Sequence, residues 1–276
     1  MKHKRQKRIG MKRHMLLLPV FLVAAAALIL VAFAPGLLAH GNRDNVELED
    51  ATIIVEVNST DQDAGFQIFL DGEGWRRVSI YDPSWRQIFN VKTKGGVREI
   101  GGGTELFLET AEPEYEDLAE LQELLDLLPP GDYRFYGRTA EGDWLHGTAE
   151  LTHVIPAGPV IDAPSEYEVL DPVDSVVIEW QAVTTAIILP DEAALNITGY
   201  QVIVDDEESG NSFEITVPED VTEVTVPNQF IQPNTPYSFE VLAIEESGNQ
   251  TITESFFCTA GADFPDADAC EEFFED

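Results

Sequence analysis

The chain has 276 residues and a formal net charge of −35, from 51 Asp and Glu against 16 Lys and Arg. Gly158–Asp276 holds 27 of those acids and no Lys, Arg or His. Phosphate binding needs Lys and Arg, so nucleic acid is excluded as a partner of this half. Its counter-charge must come from salt, a divalent metal, a basic partner or the rest of the chain.

Seven of the cations lie within the first 13 residues, and Met15–Ala39 follows as 25 residues without a charge. A basic start before an apolar run directs a chain to the membrane with its N-terminus cytoplasmic. The run is long enough for a spanning helix. Pro35-Gly36 interrupts it, however, and Leu37-Leu38-Ala39 before His40 is a passable cleavage site. Residues 1–39 therefore read as a signal peptide or as a signal-anchor transmembrane helix, and both place the rest outside the cytoplasm. Contact with the membrane is expected through this segment alone.

Residues 43–156 read mostly as strands, short Val/Ile/Phe/Tyr/Trp-rich runs between Gly, Asp and Pro punctuation. They are expected at Thr52–Val57, Phe66–Leu70, Arg77–Tyr81, Gln87–Val91, Glu105–Glu109, Asp132–Thr139 and Trp144–His153. Between them, residues 114–128 space Leu118, Leu121, Leu124, Leu125 and Leu128 at helical intervals, with acids crowded at the start. That pattern predicts a short amphipathic helix capping the sandwich, ended by Pro129-Pro130-Gly131. The stretch LPPGDYRFYGRT at 128–139 resembles a strand of small extracellular sandwiches, such as transthyretin-like regulatory domains and the immunoglobulin-like domain of flagellar hook-cap proteins. Ile155-Pro156-Ala157-Gly158-Pro159 then predicts a stiff, extended linker.

From 158 to 259 seven strands are expected: near Val160–Ile161, then Val176–Trp180, Gly199–Asp205, Ser212–Val217, Glu223–Val226, Tyr237–Glu245 and Gln250–Phe257. Such spacing suits a Greek-key sandwich. Trp180 in VVIEW, Gly199-Tyr200-Gln201-Val202, and Ile231-x-Pro233-Asn234-Thr235-x-Tyr237-x-Phe239 resemble fibronectin type III strands. The resemblance implies a structural core containing Trp180, Tyr200 and Tyr237, with Tyr237 as the corner tyrosine. Two departures stand out: Ser247-Gly248-Asn249 lacks the integrin-binding Arg-Gly-Asp tripeptide, and the loop 181–197 is long and carries the apolar run Ala186–Pro190. The whole chain is similar to secreted or cell-surface bacterial proteins that carry this domain.

The fold class expected is thus all-β: two tandem immunoglobulin-like β-sandwiches, one short helix in the first, and a hydrophobic helix before them. Residues 260–276 form an acidic tail. Cys258 and Cys270, outside the cytoplasm and 12 positions apart, are expected to pair as a disulfide stapling that tail to the last strand. A loop of that size stabilises by about 3 kcal/mol in the chain-entropy treatment.

Candidate sites are few. His146 and His153 lie seven positions apart on one expected strand, hence on opposite faces, which argues against a shared metal. Serine-hydrolase, P-loop, HExxH and Rossmann signatures are absent, so no catalytic residue is expected and the protein reads as no enzyme. No cofactor is required. Calcium is a candidate at Asn58, Asp61 and Asp63, where Asp-x-Asp-x-Gly resembles the opening of calcium loops; an inter-strand turn explains the same residues. Trp75, Trp85 and Trp144 lie in the first domain beside Arg76, Arg77 and Arg86, and one Trp is expected in the core. Trp75, Trp85, Arg76 and Arg86 are the candidate binding residues for a protein or polysaccharide partner. Asn58, Asn196 and Asn249 each begin an Asn-x-Thr/Ser pattern. The expected function is a non-catalytic binding or spacer protein. The alternatives are an accessory carbohydrate-binding or carbohydrate-active protein and a calcium-dependent adhesion module.

Overall fold

The computed structural model describes residues 43–171 and 175–275. The N-terminal basic and apolar segment lies outside them. Among the described residues no helix is long and apolar enough to cross a membrane. Two hydrophobic cores, one built from residues 48–155 and the other from residues 176–257, share one compact unit. The architecture is all-β, in sandwich-like sheets.

The first core is enclosed by β1 (Asn45–Glu47), β2 (Asp50–Asn58), β3 (Asp63–Tyr81), β4 (Gln87–Lys92), β5 (Gly103–Glu109), β6 (Gly131–Thr139), β7 (Trp144–Leu151) and β8 (Ile155–Pro156), with helices α1 (Gly95–Glu99) and α2 (Leu118–Leu125). The two strands expected at 66–70 and 77–81 are one 19-residue strand, β3. Asp71-Gly-Glu-Gly reads locally as a turn, yet here it only bends the strand. The first half of β3 pairs with β2 and β5, and the second half with β4 and β6, so β3 crosses from one layer to the other. Trp75 follows the bend and points inward, 4% exposed. The chain passes over its ring at Gly102 and Gly103. A Cβ on Gly103 would stand 2.7 Å from the indole, and Gly102 has φ +94 with Trp75 O 2.1 Å from the position of a Cβ.

Helix α2 is shorter than its leucine spacing suggests. It begins after Asp117, whose side chain accepts hydrogen bonds from Ala119 N (2.8 Å) and Glu120 N (3.0 Å). Leu121 and Leu125 are fully buried in the first core, while Leu118 is 58% exposed. Leu124 and Leu128 pack against the same core, so four of the five leucines form the expected stripe and only Leu118 turns to solvent.

The second core lies between two sheets. One contains β9 (Ile161–Ala163), β11 (Val177–Trp180) and β15 (Glu223–Thr225). The other contains β13 (Ile197–Asp206), β14 (Ser212–Pro218), β16 (Pro236–Glu245) and β17 (Gln250–Thr259), with β10 (Glu168–Leu170) parallel to β17. Trp180, Tyr200 and Tyr237 are each 2% exposed or less. Gln232 N donates to Tyr237 Oη at 2.7 Å and Val183 N to Tyr200 Oη at 2.8 Å, so both hydroxyls are partnered on the backbone inside an apolar core. This strand order, with its buried Trp and corner Tyr, is fibronectin type III-like.

The expected acidic tail has a regular structure. Cys258 and Cys270 form a disulfide, and α3 (Ala267–Glu275) packs Phe274 on Phe256 at 4.5 Å and beside Tyr167. Phe264 and the disulfide form a small core of their own. The aromatic residues hidden among the acids supply the apolar face that orders the segment.

The stretch expected to be a stiff, extended linker is extended and is built into the sheet structure. β8 pairs antiparallel with β12 (Ala186–Ile188), the apolar run of the long 181–197 loop, and Ile155 is fully buried. β17 also pairs in parallel with β2, in the register Gln250↔Glu56, Thr251↔Val57 and Ile252↔Asn58, so one 12-stranded sheet runs through both halves. At the seam Asn249 is fully buried. Its Oδ1 accepts from Val55 N (2.8 Å), and its Nδ2 donates to Thr152 O (3.1 Å), Thr152 Oγ1 (2.9 Å) and Val154 O (3.0 Å). Thr251 Oγ1 adds a bond to Pro156 O at 2.7 Å. Burial at this depth removes Asn249 from any role as a glycan acceptor in the folded chain.

Replacing Asn249 by Ala leaves a buried N–H and a buried carbonyl without partners. Asn249→Ala should destabilise the chain by about 3 kcal/mol in urea unfolding. Asn196→Ala, at an exposed position of the same sequence pattern, should change stability by less than about 0.5 kcal/mol. Equal effects of the two substitutions would contradict the role given to the seam.

Candidate functional site: a cationic and aromatic sheet face

The cations that follow residue 40 number nine, all of them before Gly158, and six of them line one cleft beside the first core. The cause is strand alternation. On β6, Tyr133 and Phe135 are buried while Arg134, Tyr136 and Arg138 point outward. Register then aligns Arg77 with Lys92 and Arg138, Arg138 with Trp144, Tyr81 with Arg134, and Tyr136 with His146. Between Trp75 and Arg77 the ladder shifts: Trp75 faces Thr139 and Arg77 faces Arg138, two residues of β3 for one of β6. Such a bulge lets a buried Trp precede two consecutive arginines that line the same cleft.

That cleft has a volume of about 330 Å³ and is lined by Arg43, Arg76, Arg77, Lys92, Thr93, Arg98, Arg138 and Gly142. Six of the nine cations therefore share one concavity. Among the described residues the single ion pair is Arg86–Asp82, away from it. Arg76 Nε is buried without a hydrogen-bond partner. Partial desolvation and then Arg43 lower the pKa of Arg138, with Asp143 opposing.

Next to the cleft the same face carries an aromatic platform. Asp82, 1% exposed, accepts from Arg86 N (2.8 Å) and pairs with Arg86 Nε (3.0 Å), while its carbonyl accepts from Trp85 N (2.9 Å). The turn so fixed holds Trp85 at φ +65 with its ring 57% exposed. Trp85 stacks on Tyr136 at 5.9 Å and lies 6.3 Å from Tyr81, and the Arg134 guanidinium sits 4.6 Å from its ring centre. At the cleft end Arg138 lies over the Trp144 ring, itself 47% exposed.

The four expected binding residues thus have different fates. Trp85 is displayed. Arg86 is occupied in fastening the turn beneath it. Arg76 belongs to the cleft. Trp75 corrects the expectation: it is a core residue, because the bend of β3 turns it inward. Arg43, Lys92, Arg98, Arg134 and Arg138, spread along the sequence, escaped it. The one signal pointing to them was the scarcity of cations anywhere else.

The residues expected to share calcium form the turn between β2 and β3. Asn58 Oδ1 accepts from Thr60 N (2.9 Å) and Asp61 N (3.2 Å), and Asn58 Nδ2 lies 3.4 Å from Asp61 Oδ2. Asp63 is 9% exposed. Ser59 Oγ donates to Ile252 O (2.7 Å) and Glu254 N to Thr60 Oγ1 (2.9 Å), so this turn is tied to β17. The carboxylates that converge are others: Glu56, Glu109 and Glu112 place one oxygen each within 4.8 Å of one another, close enough to hold one divalent cation. Glu56 is buried and bonded to Gln250. His153 is buried against Leu128 O at 3.0 Å, and burial lowers its pKa.

No protein-family profile matches the chain. Among solved structures it is similar to the fibronectin(III)-like modules of Clostridium thermocellum CbhA, at 12% identity over 77% of this chain and 94% of that one, TM-score 0.29. The fibronectin type III domain of human collagen alpha-1(XX) aligns at 13% identity over 41% and 90%, TM-score 0.28. A segment of two such domains from chicken tenascin aligns at 12% over 78% and 98%, TM-score 0.26. These superpositions are weak. The fibronectin-like description rests on the chain's own strand order, Trp180 and Tyr237.

Along the joined sheet, burial is the largest cause that raises Glu56 to about 7, Glu240 to about 8 and Glu254 to about 7. Neighbouring carboxylates add to it, Glu254 for Glu240 and Asp61 for Glu254. A carboxyl that holds its proton better when folded stabilises the fold fully below its unfolded pKa, and that contribution is lost as pH rises through 7 to 8. The melting temperature should therefore be higher at pH 5.5 than at pH 8.5 by about 5 °C or more. Glu240→Gln should flatten that slope. A melting temperature that rises with pH would contradict it.

Proposed function

We propose that the protein is a non-catalytic, extracytoplasmic binding protein that docks a protein or polysaccharide partner on the outer face of β4, β3, β6 and β7. The observation that carries this reading is Trp85. A large ring exposed to 57% on a left-handed backbone is held in place by a buried carboxylate. Exposed aromatics beside Arg are the residue types on which binding energy concentrates. Export is supported by the basic and apolar N-terminal sequence and by the disulfide. The fibronectin-like half, joined by the continuous sheet, acts as a rigid support for the face.

Pelleting of the purified protein with envelope fragments of its source cells tests this. Trp85→Ala should reduce retention by about tenfold, equivalent to about 1.4 kcal/mol, with an unchanged melting temperature. Retention that is indifferent to Trp85 would exclude the face as the docking surface.

A further inference from the structure

We infer that the arginine cleft is the anchoring subsite for an acidic polysaccharide, whose chain continues over the Trp85 platform. This rests on the reading of the outer face as a binding surface and names its ligand class. In a chain with a large excess of acid, cations used only as internal counter-charge would be scattered among the carboxylates. Here Arg43, Arg76, Arg77, Lys92, Arg98 and Arg138 are held together instead, with no ion pair at the cleft among the described residues. Gathering six like charges is unfavourable unless an anion sits among them. Arg76 Nε, buried and unpartnered, is a donor still lacking its acceptor.

The shape of the face selects a polymer over a small ion. Arg138 at the cleft and Arg134 at the platform are four residues apart on β6, roughly 13 Å along a strand. A single oxyanion reaches one of them; an extended chain reaches both. Trp144 and Trp85, one at each end, each carry a guanidinium over the ring and leave about half of their surface open to sugar rings, while the guanidinium groups take carboxylates in bidentate fashion. Acidic protein segments lack flat rings at regular spacing to match both ends.

Affinity electrophoresis of the full chain in gels containing polygalacturonate, dextran or poly(dT) tests the inference. Polygalacturonate should bind at least tenfold more tightly than dextran, and weaken by about tenfold between 50 and 300 mM salt. Lys92→Gln with Arg98→Gln, both exposed, should weaken it by about tenfold without altering the melting temperature, and Arg76→Gln should do the same. Equal affinity for dextran, preference for poly(dT), no binding of polygalacturonate, or indifference to the cleft substitutions would each overturn it. Trp85-dependent retention on envelope fragments would survive those outcomes, so failure of the ligand class is separable from failure of the binding face.

Discussion

The carboxamide of Asn249 holds this protein together as one body. It follows the tip of the β16–β17 hairpin, yet it is fully buried, bonded at one end to β2 and at the other to the segment leaving β7. A side chain with one acceptor and two donors is what that gap requires, since it faces one backbone N–H and two carbonyls. With those groups satisfied, β17 can lie against β2 and the sheet becomes continuous. The position of the cationic face relative to the fibronectin-like half follows from that seam.

Individual strands were legible in the sequence because each obeys local alternation or punctuation. Tyr133, Phe135 and Arg134, Tyr136, Arg138 fall on the faces that period two assigns them. Trp180, Tyr200 and Tyr237 lie in the core that the fibronectin type III resemblance implies. The joints were not legible. Ile155-Pro156 looks like linker, and Ala186-Ile187-Ile188 like an anomaly in a loop. Only their mutual pairing explains both, and pairing partners 30 residues apart leave no local trace. Asn249-Gln-Thr looked like an exposed acceptor pattern because nothing in three residues reports burial. The tail misled for a related reason: its acids dominate composition, while Phe264 and Phe274 decide its packing.

Charge shows the same division between what composition reveals and what only geometry reveals. That Gly158–Asp276 lacks cations is evident by inspection. That the remaining cations converge depends on a strand 19 residues long, a bulge at Arg76 and the register between β6 and β7. The acids respond by retaining protons. Glu56, Glu240 and Glu254 lie along the joined sheet with no Lys or Arg acting on them among the described residues, and burial and mutual repulsion raise their pKa values toward neutrality. The molecule is thus polarised, with a cationic cleft on the first sandwich and an uncompensated acidic field on the second. The continuous sheet fixes the distance between them.

If the seam makes the two cores one cooperative body, calorimetry of the full chain is the most direct test. It should show a single transition whose calorimetric and van't Hoff enthalpies agree. Two transitions, or a calorimetric enthalpy near twice the van't Hoff value, would mean that the cores melt independently and that the bonds of Asn249 do not couple them.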